Sequence, residues 1–306
     1  MMVEKQVSFY SEGYRLSGTF YYPDNLQKGD VRPAIIPASG YQGVNKFYPR
    51  LFAKYLTKKG YICLGFDYRG FADSEGEKGR VHVRDQVEDI QHALTFLQLQ
   101  KNVDVERIGL IGWGMGASNV IEVAAKNKNV AAVAALNGFY DGKRWLKSVH
   151  AYKDWIDIVE TLEEDRILRV TKGKSALADP FIHYPLDPAT ADYVQKELAH
   201  VEGFGEQTRL SFTDSIIDMN VESVVANVSP APLFIGHGVN NILHPYDEAC
   251  HLERAAAEPR TFYQIRGKHN DFMYEGHPEF HRLVEALHQF FTRSFKAGKL
   301  STQSFG

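Results

Sequence analysis

Apolar and polar positions alternate along Val7–Tyr10 and Leu16–Tyr22, on either side of the polar turn "SEGY". That period of two predicts a pair of antiparallel strands. From Pro33 onward the pattern becomes short apolar runs separated by segments of helical period. "PAIIPA" (Pro33–Ala38), "YICLGFD" (Tyr61–Asp67) and "RIGLIG" (Arg107–Gly112) read as buried strands, with helices predicted near Phe47–Lys59, over Arg84–Gln98 and from Met115. "VAAVAAL" (Val130–Leu136) fits either period, and its place in the alternation assigns it to a strand. "APLFIG" (Ala231–Gly236) and "TFYQI" (Thr261–Ile265) add two more strands, each followed by a helix. The last helix is expected over about Pro278–Phe295, with a loose polar tail.

Two antiparallel strands followed by strand–helix repeats imply an α/β fold, a mostly parallel central sheet flanked by helices. The rhythm breaks between Asp141 and about Asn227, where "VETLEEDRI" and "DPFIHYPLDPATADY" occur. Residues 1–141 and 228–306 are therefore expected to form the core. Residues 142–227 are expected as an inserted helical cap over a site at the strand ends.

Composition narrows the function. The chain has 306 residues, 44% hydrophobic and 24% charged, with net charge −3 and scattered basic residues. Nucleic acid and anionic membrane are poor partners for such a surface. The N-terminus "MMVEKQVSFY" lacks the apolar centre of a signal peptide, and no run is long enough to span a bilayer, so a cytoplasmic location is expected. Cys63 and Cys250 have neither disulfide nor metal spacing, and the 12 histidines show no metal-ligand spacing. No metal or cofactor is expected. A homodimer is compatible with the sequence.

The chemistry concentrates at "IGLIGWGMGASNV" (Ile108–Val120). Gly112-Trp113-Gly114-Met115-Gly116 has the spacing of a nucleophile elbow between a strand and a helix. The position of the nucleophile holds Gly114. That position normally sits at positive φ, so glycine relieves strain of about 1–3 kcal/mol while removing the reactive side chain.

With this elbow the sequence resembles the α/β-hydrolase superfamily, in its branch of dienelactone-hydrolase-like and prolyl-peptidase-like proteins. "FDYRGFADSEG" (Phe66–Gly76), "DVERIGLIGWGMGA" (Asp104–Ala117), "APLFIGHGVNNILHPYDEA" (Ala231–Ala249) and "YQIRGKHNDFMYE" (Tyr263–Glu275) match family segments in order. The resemblance implies a serine, an aspartate and a histidine at three positions. Here they are Gly114, Asn241 and His269, so only the histidine remains. Acyl transfer through a serine needs all three roles filled. An amide carbonyl at Asn241 could still orient the His269 ring. The resemblance also places oxyanion donors at the Tyr41 and Met115 amides, which serve an enolate as readily as a tetrahedral intermediate.

These residues suit a lyase, isomerase, epimerase or cyclase working beside a carbonyl, with His269 as acid or base. The expected partner is a small-molecule substrate carrying a carbonyl, and the setting would be secondary metabolism. The alternatives are a serine esterase or peptidase whose nucleophile was replaced at position 114, and a relative that only binds ligand. Ser118 lies one turn beyond the elbow and is expected to face the helix packing. Asp141 reads as a cap or turn residue rather than a relocated acid. Trp113 either lines the pocket or packs in the core. Tyr152, Trp155, His183 and Tyr184, with His150, are expected substrate contacts from the insert. His237 reads as packing, His244 as solvent-exposed, Asp271 as a helix cap, and Asp67 with Arg69 as a loop-bracing pair.

Overall fold

The computed structural model describes residues 2–302, with side chains through residue 296. β1 (Val3–Ser11) and β2 (Tyr14–Tyr22) form a hairpin in which Ser11 faces Tyr14. β3 (Arg32–Ala38), α1 (Tyr48–Leu56), β4 (Ile62–Phe66), α2 (Val83–Gln98), β5 (Val103–Trp113), α3 (Met115–Lys126) and β6 (Ala132–Leu136) follow. After them come α4 (Gly142–Val149), α5 (Tyr152–Lys172), β7 (Leu177–Ala178), α6 (Pro188–Tyr193), β8 (Thr208–Arg209) and α7 (Ser211–Ile217). β9 (Leu233–Gly238), α8 (Tyr246–Ala255), β10 (Arg260–Ile265) and α9 (Pro278–Thr302) complete the order.

Eight strands form one sheet in the order β1-β2-β4-β3-β5-β6-β9-β10. Only the β1–β2 and β2–β4 pairings are antiparallel; the others are parallel. β4, β6 and the stretch of β5 from Ile108 to Trp113 are wholly buried, and β3 is buried from Ala34 on, as strands covered on both faces must be. One apolar cluster joins β1, β2, α2 and α3, and a second joins α1 and α9 to the opposite face. This is the α/β-hydrolase architecture.

The differences from expectation are local. β5 begins at Val103 rather than Arg107, because a register irregularity against β3 lets Val103 pair with Arg32 before the regular ladder starts. The final helix continues to Thr302, through the segment expected to be a loose tail; the last four residues lie outside those described. Asp67 and Arg69 do not pair. Asp67 accepts from the Asn45 N–H at 2.6 Å, while Arg69 donates to Asp89 at 2.9 and 2.7 Å. Asp89, fully buried on α2, is the brace that sequence reasoning missed. Among the described residues, no helix is long and apolar enough to cross a membrane.

Candidate active site

β5 delivers the chain to the sheet's carboxyl edge, and α3 leaves from it at once, so the turn must be very sharp. A Cβ at Gly112 would come within 2.0 Å of the Gly116 carbonyl oxygen, and one at Gly116 within 2.1 Å of the Ser39 carbonyl oxygen. Both positions therefore require glycine. Gly114 sits between them at φ +59°. It provides no side-chain cap, so the first amides of α3 stay free to face an anion.

A Cβ built on Gly114 would lie 3.8 Å from His269 Nε2 and 3.7 Å from His244 Cε1, in ordinary contact. The space of a nucleophilic side chain is thus preserved, and the histidine is preserved beside it. Gly114, Tyr41, Met115, Trp113, Tyr184 and His269 all line one cavity of about 60 Å³. The core supplies its floor. Phe181, Tyr184, Leu186, Val194, Leu198 and Phe204, from the segment between α5 and β8, supply its roof. Tyr41 ties floor to roof: its ring stacks on Tyr184 at 4.4 Å, and its hydroxyl donates to the Pro180 carbonyl at 2.6 Å. Among the described residues, no carboxylate, lysine or arginine lines this cavity.

His269 is buried, with Nδ1 3.1 Å from Asn241 Nδ2. The expected arrangement had the amide carbonyl holding the ring. Instead, Asn241 Oδ1 accepts from the His244 N–H at 3.0 Å, so the amide turns its nitrogen toward the histidine. Burial, reinforced by His244 and His237, drives the His269 pKa well below its ordinary value, so the ring is neutral near pH 7.

His244 was expected at the surface and is fully buried. Its Nδ1 lies 2.6 Å from the Asn137 carbonyl oxygen, and its Nε2 lies 2.8 Å from the Tyr184 hydroxyl. Its ring packs edge-on to His269 at 4.6 Å. Burial pushes His244 down to about 3 and His237 to about 4. His237 packs with Nε2 2.9 Å from the His244 carbonyl oxygen.

Four expected substrate contacts fall elsewhere. Tyr152 is 82% exposed, on the outer surface at the start of α5. Trp155 lies one turn on, half-buried, with the Lys147 ammonium over its ring. His183 bonds Thr213 Oγ1 at 2.9 Å behind the roof, and His150 folds back onto the Leu146 carbonyl. The reason is common to them: an aromatic composition does not say which face of a segment meets the cavity.

Ser118 Oγ donates to the Phe139 carbonyl, inside the helix packing. Asp141 caps α4 through the Arg144 N–H at 2.9 Å. Asp271 closes the 268–271 turn through the Lys268 N–H and caps no helix, because the next one, α9, begins only at Pro278. Trp113 lines the cavity and donates to Asn270 Oδ1 at 3.3 Å.

Sequence reasoning missed the polar cavity residues Tyr48, Thr190 and Asn270, and two others that matter more for the histidine cluster and the cavity's donors. Asn137, at φ +49°, accepts from the Gly238 N–H at 2.7 Å and donates to the His269 carbonyl at 2.9 Å. Its sequence signal was an Asn-Gly pair ending an apolar strand. Gln42 lines the cavity with Oε1 held by the Gly205 N–H at 3.0 Å, and its buried Nε2 has no partner.

A family model for serine aminopeptidase S33 matches residues 29–268. An uncharacterized 31.7 kDa protein from Escherichia coli is 35% identical over 133 residues, 43% of this chain and 44% of that protein. The match thus spans less than half of that relative's length. The polyketide transferase grgF of a Penicillium species is 24% identical over 250 residues, 79% of this chain and 82% of that one. Its crystal structure superposes with TM-score 0.79 at 19% identity, covering 96% of this chain and 99% of that chain. The hypothetical protein PA2218 from Pseudomonas aeruginosa superposes at 0.81 with 22% identity, covering 96% and 94%.

Proposed function

Because the chain belongs to the serine aminopeptidase S33 family of α/β hydrolases, yet carries glycine where its nucleophile should stand, we propose that it is a non-hydrolytic enzyme. It acts on a small carbonyl compound as a lyase, isomerase or cyclase, stabilising an enolate or alkoxide without covalent attachment. The observation that carries this reading is the 3.8 Å gap between the position of a Gly114 Cβ and His269 Nε2. A substrate oxygen or carbon can occupy the volume that a serine would fill. Around it stand a buried neutral histidine and the uncapped start of α3.

The amides of Tyr41 and Met115 serve as oxyanion donors, and Trp113 and Tyr184 as walls. Residues 142–227 act as a cap. A cavity of about 60 Å³ lies far below the roughly 300–1,000 Å³ of typical ligand sites. The roof therefore moves to admit substrate. Likeness to a polyketide transferase supports a polyketide-like, carbonyl-rich substrate of secondary metabolism.

Two measurements test the reading together. Intact mass after exposure to a fluorophosphonate should show no adduct on the natural chain. A panel of β-dicarbonyl compounds and hydroxyketones should show solvent deuterium uptake or product by NMR, lost in His269→Ala. A covalent adduct, or full turnover by His269→Ala, would overturn it.

A further inference from the structure

The hydrogen bonds around Asn241 settle where the hydrogen of His269 sits, and the result is the reverse of a working triad. His244 Nδ1 is 2.6 Å from the Asn137 carbonyl oxygen, so that nitrogen carries hydrogen. Its Nε2 is then a lone pair, which accepts from the Tyr184 hydroxyl. His237 Nε2 is 2.9 Å from the His244 carbonyl oxygen, so it also carries hydrogen. Asn241 Nδ2, 3.4 Å away, faces it donor to donor and gains nothing there.

Only the amide's orientation remains. With Oδ1 on the His244 N–H, all fits. Turned over, the amide would present its NH2 to that buried N–H and orphan it, at a cost of about 1–3 kcal/mol. The bond to His269 is available in either orientation, so the His244 N–H decides. Nδ2 then donates to His269 Nδ1, and the single hydrogen of the neutral ring must sit on Nε2, on the cavity side. An aspartate would accept from both neighbours and hold the opposite tautomer; an asparagine at that position is known to invert it.

We propose that Asn241 locks His269 as an Nε2–H donor, so that the cavity presents donors and no side-chain base, and takes its ligand as an enolate whose proton has already been given up to solvent, through the enolate's acceptor oxygens. The proposal rests on the functional reading above. A neutral imidazole cannot surrender its last hydrogen without becoming an imidazolate, and among the described residues no cation lines the cavity to hold one. His269 therefore keeps its hydrogen and polarises the oxygen, as neutral histidines do in other enolate-forming sites.

Gln42 points to the same ligand independently. Its Oε1 is occupied by Gly205, which leaves the buried Nε2 as an unsatisfied donor at the cavity wall. A buried donor without a partner indicates an absent acceptor. Two side-chain donors, the amide-rich elbow and no charged residue fit a β-dicarbonyl, whose enolate spreads charge over two oxygens.

The test is the tautomer itself, read on the full chain labelled with ¹⁵N-histidine through long-range ¹H–¹⁵N correlations. His269 signals are assigned by their loss in His269→Ala. The hydrogen should be found on Nε2 in the natural chain and on Nδ1 in Asn241→Asp. A hydrogen on Nδ1 in the natural chain, or no change in the variant, would overturn the lock. Titration with acetylacetonate should then shift the His269 signals, with affinity falling about tenfold in Gln42→Leu and in Asn241→Asp, the worth of one hydrogen bond. Equal affinities in all three would overturn the ligand class. Turnover by His269→Ala would instead sink the functional reading and leave the tautomer result standing.

Discussion

Asn137 donates to the His269 backbone carbonyl at 2.9 Å, and so joins the end of β6 to the histidine loop. The same side chain accepts from Gly238 at the end of β9, and its own carbonyl faces His244 Nδ1. Three loops at the sheet's carboxyl edge thus share one residue, held in the left-handed region where asparagine is tolerated better than most residues. Asn137→Ala would orphan the buried Gly238 N–H and add backbone strain. The expected loss is about 2–4 kcal/mol in urea unfolding. Asn137→Gly should be milder by about 1 kcal/mol, because it removes the strain and keeps only the lost bonds. A change below about 0.5 kcal/mol for the alanine variant would show that the hub is not holding the loops.

Tyr184 belongs to both the cavity and the histidine cluster. Its hydroxyl satisfies the His244 Nε2 lone pair, while its ring packs on Tyr41. Tyr184→Phe keeps the packing and strands a buried acceptor, so a loss of about 1–2 kcal/mol is expected, seen as a lower Tm. An unchanged Tm would mean that another donor reaches His244.

The buried imidazoles also set a pH dependence. His237 and His244 are pushed to about 4 and about 3, and His269 well below its ordinary value, against 6.5 in the unfolded chain. Below pH 6.5 the unfolded chain binds protons that the folded chain refuses. Stability is therefore complete above that value and falls as pH drops toward 4. Each imidazole contributes roughly 1.4 kcal/mol per pH unit in that window. Asp67 opposes them: burial raises it to about 6, so its contribution is present at low pH and lost as pH rises through that value. His183, pushed to about 4 by burial, adds to the imidazoles, and buried Asp89, raised by desolvation, adds to the carboxyls. The imidazoles outnumber the carboxyls, so the net is a loss of stability as pH falls from 6 toward 4. Urea midpoints should fall steeply from pH 7 to pH 5. A flat profile would contradict neutral burial of the cluster.

Much of this architecture is legible in the sequence because it is locally determined. Strand periods, the glycine spacing at 112–116 and the order of the four family segments each depend on neighbours a few residues apart. The same holds for Asp141, whose capping partner is three residues away. What escaped reading depends on distant contacts. His244 is polar and sits in a loop, yet it is buried because Asn137 and Tyr184, from two other elements, satisfy both its nitrogens. Gln42 carries no local signal at all; its role arises from Gly205, 163 residues away. Tyr152 and Trp155 looked like pocket walls by residue type, but α5 faces Tyr152 to solvent and packs Trp155 against the core away from the cavity. The orientation of the Asn241 amide is fixed by one backbone N–H three residues on, a detail of folded geometry.

Gly114 and Asn241, which stand where the family resemblance implies a serine and an aspartate, are coupled through His269, and the coupling predicts what substitutions there would do. Serine at position 114 would have its Cβ in open contact with His269, so Gly114→Ser fits sterically, at a backbone cost of about 1–3 kcal/mol for positive φ. That serine would meet an Nε2–H donor rather than a base, because Asn241 holds the ring in that form. The single variant should therefore react with a fluorophosphonate barely faster than the natural chain. Asn241→Asp added to it lets one carboxylate oxygen keep the His244 N–H while the other accepts from His269 Nδ1. Nε2 then becomes the lone pair that takes the serine proton. Since an asparagine in place of the triad acid costs about 10⁴-fold in a serine hydrolase, the double variant should label up to about 10⁴-fold faster than Gly114→Ser alone. Equal labelling rates for the single and double variants would mean that the tautomer does not control reactivity at this elbow.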